Sequence, residues 1–530
     1  MKRLLRTTSI IAAVLAILWV AAHLLLEVQL PTAPEGRGAF PEPMDPEMTL
    51  SEAFIALPAA NGSDQSSVAL LDDNAAAWIA RWRLLNVARQ RIDVSYFILK
   101  QDIFGAALLG HLIKKAREGV RIRVLLDAMG TEMSRDRRGN GYLGILVRTP
   151  GVQVRMYRPL KYRYLDAFLT LNPAAVIASD HDKILVVDGY RGLTGGRNIS
   201  GEYFSPPTDD PTAFHDTDIL LAGRQIAAAL TTAFEAQFTS GEAKPIQRGV
   251  LPIDGSEDDL LGAYRMMDAW LKGLELPNTT LSDLEDKRIS WAHQLQALPG
   301  LRGTLDSPPL ERERTRVRLL DSRTRLIDAN DAITRSLIRL IRSARKEIFI
   351  QSPYLVLLRD AADLLEEAAE RGVRITILTN GPAARDRAIG QAIFFDQWPR
   401  LLERIPSLQL YVGGNSHNLH SKIAVVDRRV SLVGTYNFDP LSMLINSELV
   451  VVADSEALAE RVLEKPERFM AAGSPRTYRY RIAPTADSPD DPPMIAFGPS
   501  DHWQSEQWPI VTFYQYWLVK PLRALDTPLL

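Results

Sequence analysis

Residues 181–198 read HDKILVVDGYRGLTGGRN, and residues 420–437 read HSKIAVVDRRVSLVGTYN. Laid over one another, they align His181 with His420, Lys183 with Lys422, Asp188 with Asp427, Gly195 with Gly434 and Asn198 with Asn437. Both obey HxKx4Dx6GxxN. The chain has 8 histidines, so two of them in matching frames point to a duplicated unit rather than to coincidence. In each frame His and Lys stand two apart and lead into an apolar run, the pattern of a strand whose alternate side chains share a face. One imidazole and one ammonium are then presented together. A glycine-containing turn leads on to the Asn, whose amide can donate hydrogen bonds near the same point. Asp188 and Asp427, at the strand ends, are expected to hold the turn rather than touch a substrate.

Two such half-sites facing each other would gather two His, two Lys and two Asn, an inventory suited to an anionic phosphodiester. The ammonium groups Lys183 and Lys422 and the amides of Asn198 and Asn437 can hold the non-bridging oxygens and stabilise a pentacoordinate transition state. One His can attack phosphorus while the other gives a proton to the leaving oxygen and later takes one from the acceptor. No metal or cofactor is expected. Each imidazole needs an acidic partner to fix its tautomer, and an acid opens an apolar strand downstream of each frame: Asp218 before ILLAG and Glu448 before LVVVAD. These are the expected partners.

Working outward, residues 91–99 (RIDVSYFIL) alternate like a half-buried strand, residues 105–118 carry a helical apolar stripe, and VRIRVLLD follows as a second strand. His111 lies beside that stripe and is expected to be solvated or half-buried. The same wording returns more than 250 residues later, where GVRITILTN from Gly372 answers GVRIRVLLD from Gly119. The expected fold is therefore α/β, with a lobe over residues 68–240 and its repeat over 326–475. Residues 241–325 match neither copy and read as an insert between the lobes.

These paired motifs resemble the phospholipase D superfamily, and the surrounding text is most similar to its bacterial cardiolipin synthase-like branch, through GGRNISGEYF from Gly195, SPYL from Ser352 and DPLSMLINSE from Asp439. The resemblance covers about 68–240 and 326–465. It implies two pseudo-twofold-related lobes with one active site at their interface, a phosphohistidine intermediate on His181, His420 as the acid and base, and no metal. It also implies a phosphatidyltransferase making cardiolipin or a related phospholipid, with a hydrolytic phospholipase D and a nuclease as alternatives from the same superfamily. Relatives often carry basic residues before the first His; here Asp180 and Asp182 flank His181 and are expected to make the entrance more acidic.

The ends of the chain point to a membrane. Lys2, Arg3 and Arg6 precede an apolar run over residues 10–26, which as a helix would be about 26 Å long, within the range of a bilayer span. Residues 1–30 read as an anchor, with a cleaved signal segment as the other reading. The basic residues would stay in the cytoplasm, which places the body beyond the inner membrane of a bacterium. Residues 31–67 read as a linker, and the tail over 476–530 ends in an aromatic interfacial segment, WPIVTFYQYWLVKPL. The Arg-rich stretch RMYRPLKYR over 155–163 reads equally as a solvated loop or as a face for lipid headgroups. A net charge of −2 supplies no field for nucleic acid, which is not an expected partner, and the absence of Cys removes disulfides and thiolate chemistry.

Overall fold

The computed structural model describes residues 47–58, 65–133, 141–170, 172, 174–247, 255–276, 285–324, 332–381, 388–414, 418–471, 477–483 and 494–497. The expected anchor and the aromatic tail lie outside these residues, and no helix among the described residues is long and apolar enough to cross a membrane.

The first lobe contributes strands β1 (Gln65–Leu71), β2 (Arg91–Tyr96), β3 (Arg121–Asp127), β4 (Val152–Tyr157), β5 (Ile184–Val187), β6 (Arg191–Gly195), β7 (Asp218–Ala222) and β8 (Ala243–Pro245). The second contributes β9 (Glu313–Ser322), β10 (Glu347–Ser352), β11 (Arg374–Thr379), β12 (Gln409–Gly413), β13 (Ile423–Val426), β14 (Val430–Gly434), β15 (Glu448–Asp454) and β16 (Thr477–Ala483), with β17 (Met494–Phe497) added beside β16. Hydrogen bonding orders the first lobe β8-β4-β3-β2-β5-β6-β7-β1. The second runs β16-β12-β11-β10-β13-β14-β15-β9, the same order with each number raised by eight. In both, the three βαβ strands are parallel and the rest antiparallel. The lobes join where β1 and β9 pair antiparallel, Gln65 opposite Arg316 through Val68 opposite Glu313.

Each lobe has its own apolar core, and a third is shared. The shared core lies beneath the helices Arg224–Phe238 and Glu456–Met470 and takes Ile184, Val186 and Ile219 from one lobe and Ile423, Val433 and Val451 from the other. Burying one continuous apolar layer across the seam is what fixes the lobes against each other.

Several elements fall in stretches read from the sequence as linker or insert. A helix at Leu50–Ile55, closed by a Thr49–Glu52 capping box, buries Leu50, Ala53 and Phe54 in the core of the second lobe. Strand β8 completes the first sheet, and β9 is the second-lobe counterpart of β1. The sequence of β9, ERTRVRLLDS, hides it because its charges look like a loop; in place, Arg316 and Arg318 lie over the ring of Phe54. Between β8 and β9 the helix Glu257–Leu271 packs on Ile103–Arg117 so closely that a Cβ on Gly110 would stand 1.9 Å from the carbonyl oxygen of Leu260. His111, expected to be solvated or half-buried, is fully buried between Trp82 and Tyr264, and burial lowers its pKa to about 3.

Candidate active site

His181 and Lys183 enter β5, and His420 and Lys422 enter β13, the strand next to the parallel three in each lobe. The two ends meet across the seam. The backbone N–H of His181 donates to Ser447 O at 3.3 Å, and that of His420 donates to His215 O at 2.7 Å. Isolated bridges, Asp180 with Ser447 and His215 with Leu419, lock both crossings. Two hydroxyl contacts reinforce them: Ser447 Oγ donates to Asp180 at 2.9 Å, and Thr217 Oγ1 and Ser421 Oγ share a hydrogen bond of 2.8 Å.

Each imidazole takes its carboxylate from the opposite lobe. His181 Nδ1 lies 3.0 Å from both oxygens of Glu448, and His420 Nδ1 lies 2.6 Å from Asp216 Oδ2. These contacts orient each ring through its Nδ1; at His420, Lys422 Nζ also stands 2.7 Å from Nδ1 and 3.1 Å from Nε2. Lys183 Nζ donates to His181 O at 2.7 Å and Lys422 Nζ to His420 O at 2.6 Å, so each ammonium is curled beside its own imidazole. Phe97 meets His181 edge-on with ring centroids 5.1 Å apart, while Phe214 stacks on His420 at 5.3 Å and Tyr203 meets it edge-on at 5.2 Å.

Asp218 is not the partner expected of it. It pairs with Arg81 at 2.9 Å and Arg197 at 3.3 Å in the interior of the first lobe. The reason is ladder register: Gly195 stands opposite Asp218, whereas Gly434 stands opposite Val450. Counted from the turn glycine, the equivalent of Glu448 is therefore two residues earlier, at Asp216. Gly195 has φ +152° and a Cβ there would fall 2.3 Å from Asp218 Oδ1, so this crossing admits only glycine.

The remaining sequence candidates divide between scaffold and site. Asp188 accepts from the backbone N–H groups of Arg89, Gln90 and Arg91, and Asp427 from those of Arg345, Lys346 and Glu347, at 2.7–3.2 Å. Both aspartates adopt φ +52° and clasp the start of β2 and β10. Asn198 accepts from the Ile98 N–H at 3.0 Å and donates to the Tyr203 hydroxyl at 3.0 Å, so one of its two amide hydrogens is committed to holding the loop that carries Phe97. Asn437, 2% exposed, has a side-chain oxygen with no hydrogen-bond partner.

Asp180 and Asp182 do not make an acidic entrance. Both are 1% exposed. Asp180 accepts from Ser95 and Ser447 hydroxyls and from the Asp182 N–H. At Asp182 burial, and then the charge of Asp180, push the pKa well above the usual carboxylate range.

Burial governs the ionisation of the site. It lowers Lys183 to about 8 against the pull of Glu448 and Asp216, and it raises Glu448 to about 8 although Lys183, Ser442 and Thr435 favour the anion. At Asp216 burial also acts upward, but the charges of His420 and Lys422 outweigh it and hold the carboxyl below its ordinary value. Among the described residues no cluster of three or more His, Asp or Glu side chains is arranged to hold a metal ion.

A family model described as cardiolipin synthase, PLD-like domain, matches residues 82–238 and 337–470, one segment in each lobe. The chain belongs to this family. It stands in the cardiolipin synthase-like branch of the phospholipase D superfamily. Cardiolipin synthase C of Escherichia coli K12 is 28% identical over 446 residues, spanning 78% of this chain and 86% of that one. A cardiolipin synthase of Halalkalibacterium halodurans is 25% identical over 371 residues, 69% of this chain and 58% of its own. The crystal structure of phosphatidylserine synthase from Haemophilus influenzae superposes with a TM-score of 0.58 at 14% identity, covering 91% of this chain and 99% of that chain, a likeness of fold.

Thus the residues missed by sequence reasoning are Asp216, the Thr217–Ser421 and Ser447–Asp180 crossings, and the rings of Phe97, Tyr203 and Phe214. Asp216 had a signal, the repeat counted from its glycine; the rings had none, because nothing in their spacing sets them apart from core aromatics.

Proposed function

We propose that the protein is a membrane-associated phosphatidyltransferase that moves a phosphatidyl group from one phospholipid to the hydroxyl of another, giving cardiolipin or a related lipid. The observation that carries this is the reciprocal pair of imidazole–carboxylate contacts across the seam, two histidines each oriented by the other lobe.

In this mechanism His181 Nε2 attacks phosphorus, forming a P–N bond as the P–O bond to the donor headgroup breaks. His420, entering as the imidazolium backed by Asp216, gives its proton to the departing oxygen. The neutral His420 then takes the proton of the acceptor hydroxyl as that oxygen attacks phosphorus and the P–N bond breaks, which regenerates both histidines. Lys183 and Lys422, with the free hydrogens of Asn198 and Asn437, neutralise the non-bridging oxygens. The aromatic walls and the slight exposure of His181 and His420, both 5%, support transfer over hydrolysis, because a dry site favours a lipid alcohol over water as acceptor. Residues 10–26 would anchor the chain, with the catalytic body on the outer side of the inner membrane.

Vesicles of phosphatidylglycerol and phosphatidylethanolamine, incubated with the protein with and without glycerol, test the reading by product analysis. Cardiolipin is expected; phosphatidic acid alone would make the enzyme a hydrolase, and no lipid product would overturn the proposal.

A further inference from the structure

The helix Leu160–Thr170 carries the greatest concentration of exposed apolar side chains among the described residues: Tyr162, Tyr164, Leu165, Phe168 at 76% and Leu169 at 69%. Other exposed large apolar residues, such as Ile55, Val87 and Leu274, are scattered along the chain, whereas a run of five on three turns calls for an occupant. At about 100° per residue, these five and Lys161 fall within an arc of roughly 160° on the side opposite Arg163.

Arg163 is what makes the helix more than a loose surface element. It is fully buried, pairs with both oxygens of Asp127 at 3.0 and 2.8 Å, and donates to Ala178 O at 2.7 Å and to the Ser179 hydroxyl at 3.1 Å. Asp127 in turn accepts from the N–H of Asp180, the residue before His181, at 2.9 Å. The helix is therefore tied to the segment that presents the first histidine, with its apolar face on the side opposite that tie. Beyond it the short helix Ala174–Ile177 presents Ile177, 42% exposed, while Ala174 and Ala178 pack on Ile445, Leu441 and Leu444 of the second lobe.

The outward arc has no carboxylate. Asp166, the helix's one acid, is turned to Arg158 at 2.8 Å. Two exposed lysines gather at the edge instead, with Lys161 Nζ 4.7 Å and Lys244 Nζ 5.8 Å from the ring centre of Tyr162. Apolar and tyrosyl side chains with flanking ammonium groups and no acid complement an anionic phospholipid surface, where rings and chains enter the headgroup boundary and lysines meet phosphates.

We propose that the exposed face of helix Leu160–Thr170 docks on the bilayer and sets the mouth of the seam against it, so that lipid reaches His181 and His420 without crossing water. The inference rests on the lipid-transfer reading, and its test separates the two.

The chain is free of cysteine, so Phe168→Cys in the full-length protein takes one environment-sensitive nitrobenzoxadiazole label. Tyr190→Cys, exposed in the β5–β6 turn at the far end of the strand from Lys183, is the control. On phosphatidylglycerol–phosphatidylethanolamine vesicles the label at 168 should brighten several-fold and blue-shift while that at 190 stays unchanged. A dark label at 168 would overturn the proposal, as would brightening that needs only more protein and no vesicles, which would assign the face to a second copy. A Phe168→Asp, Leu169→Asp variant should lose at least tenfold in turnover of vesicle lipid and keep its cleavage of a soluble nitrophenyl phosphodiester within twofold; unimpaired vesicle turnover would also overturn it. Failure of lipid transfer itself would show in the unmodified protein as no lipid product, with the label at 168 still reporting docking.

Discussion

The two half-sites share strand order, motif and crossing geometry, yet they hand their histidines different partners. His420 faces Asp216, whose carboxyl is held below its ordinary value by the charges of His420 and Lys422 despite burial. His181 faces Glu448, one methylene longer, which burial lifts to about 8 although Lys183 and the hydroxyls of Ser442 and Thr435 favour its anion. A firm anion behind an imidazole favours the imidazolium, the form that can donate a proton. A partner inclined to neutrality leaves the imidazole uncharged with its lone pair available, the form that can attack phosphorus. In the proposed mechanism, a duplicated scaffold is divided into an acid and a nucleophile by what stands behind each ring.

The sharpest way to break this division is to remove one histidine at a time and supply a donor with a nitrophenyl leaving group, which departs without protonation. His420→Ala should then release a burst of nitrophenolate equal to enzyme and stall as a phosphoenzyme on His181, while His181→Ala forms no adduct. Intact mass and peptide mapping read the result; an adduct on His420 in the His181 variant would exchange the roles. On ordinary lipid either substitution should cost about 10⁴-fold or more in turnover. A smaller effect should separate the partners, since Asp216→Asn removes a charge that is present and Glu448→Gln one that is partly absent. The first should lower kcat on lipid roughly tenfold more than the second, the equivalent of one pKa unit; equal losses would erase the contrast.

Acidity offers a milder probe. Lys183 and Glu448 both titrate near 8, and as pH rises Lys183 loses a positive charge while Glu448 gains a negative one. Both changes repel an anionic substrate, so turnover should fall on the alkaline side with an apparent midpoint of about 8 that belongs to the pair. Lys183→Arg keeps the cation and should make that limb shallower, whereas Lys183→Ala should cost about 10²–10³-fold below that midpoint and progressively less above it. Least affected should be variants of the two turn clasps. Asp188→Ala and Asp427→Ala each strip an acceptor from three backbone donors and should lower unfolding free energy by about 2 kcal/mol, read by denaturant titration. The losses should match between lobes and leave kcat nearly intact.

Much of this was legible in the chain because the molecule repeats itself. The two frames revealed the strands β5 and β13, their shared faces and the turn aspartates, since period and spacing survive in sequence. Glu448 was found for the same reason. Its counterpart was misplaced by two residues because the acids were matched at the start of each strand, whereas the sheet aligns them by hydrogen-bond register from Gly195 and Gly434. β9 was hidden by charges that only their packing on Phe54 explains, and Arg163 by an Arg-rich run whose buried and exposed members cannot be told apart without Asp127 in place. Partnerships across hundreds of residues leave no mark on local pattern.

The contact of His181 with Glu448 spans 267 residues, and that separation has a consequence for the order in which the protein is made. A ribosome delivers β5 and its histidine long before β15, and the stretch that supplies the carboxylate also carries the backbone oxygen that fixes the His181 N–H. During that interval the nascent first lobe has an unpaired β1 edge and an imidazole with neither tautomer nor direction set. Assembly of the reciprocal site is thereby deferred until the second lobe has emerged and closed the seam. Completeness of synthesis becomes the licence for catalysis.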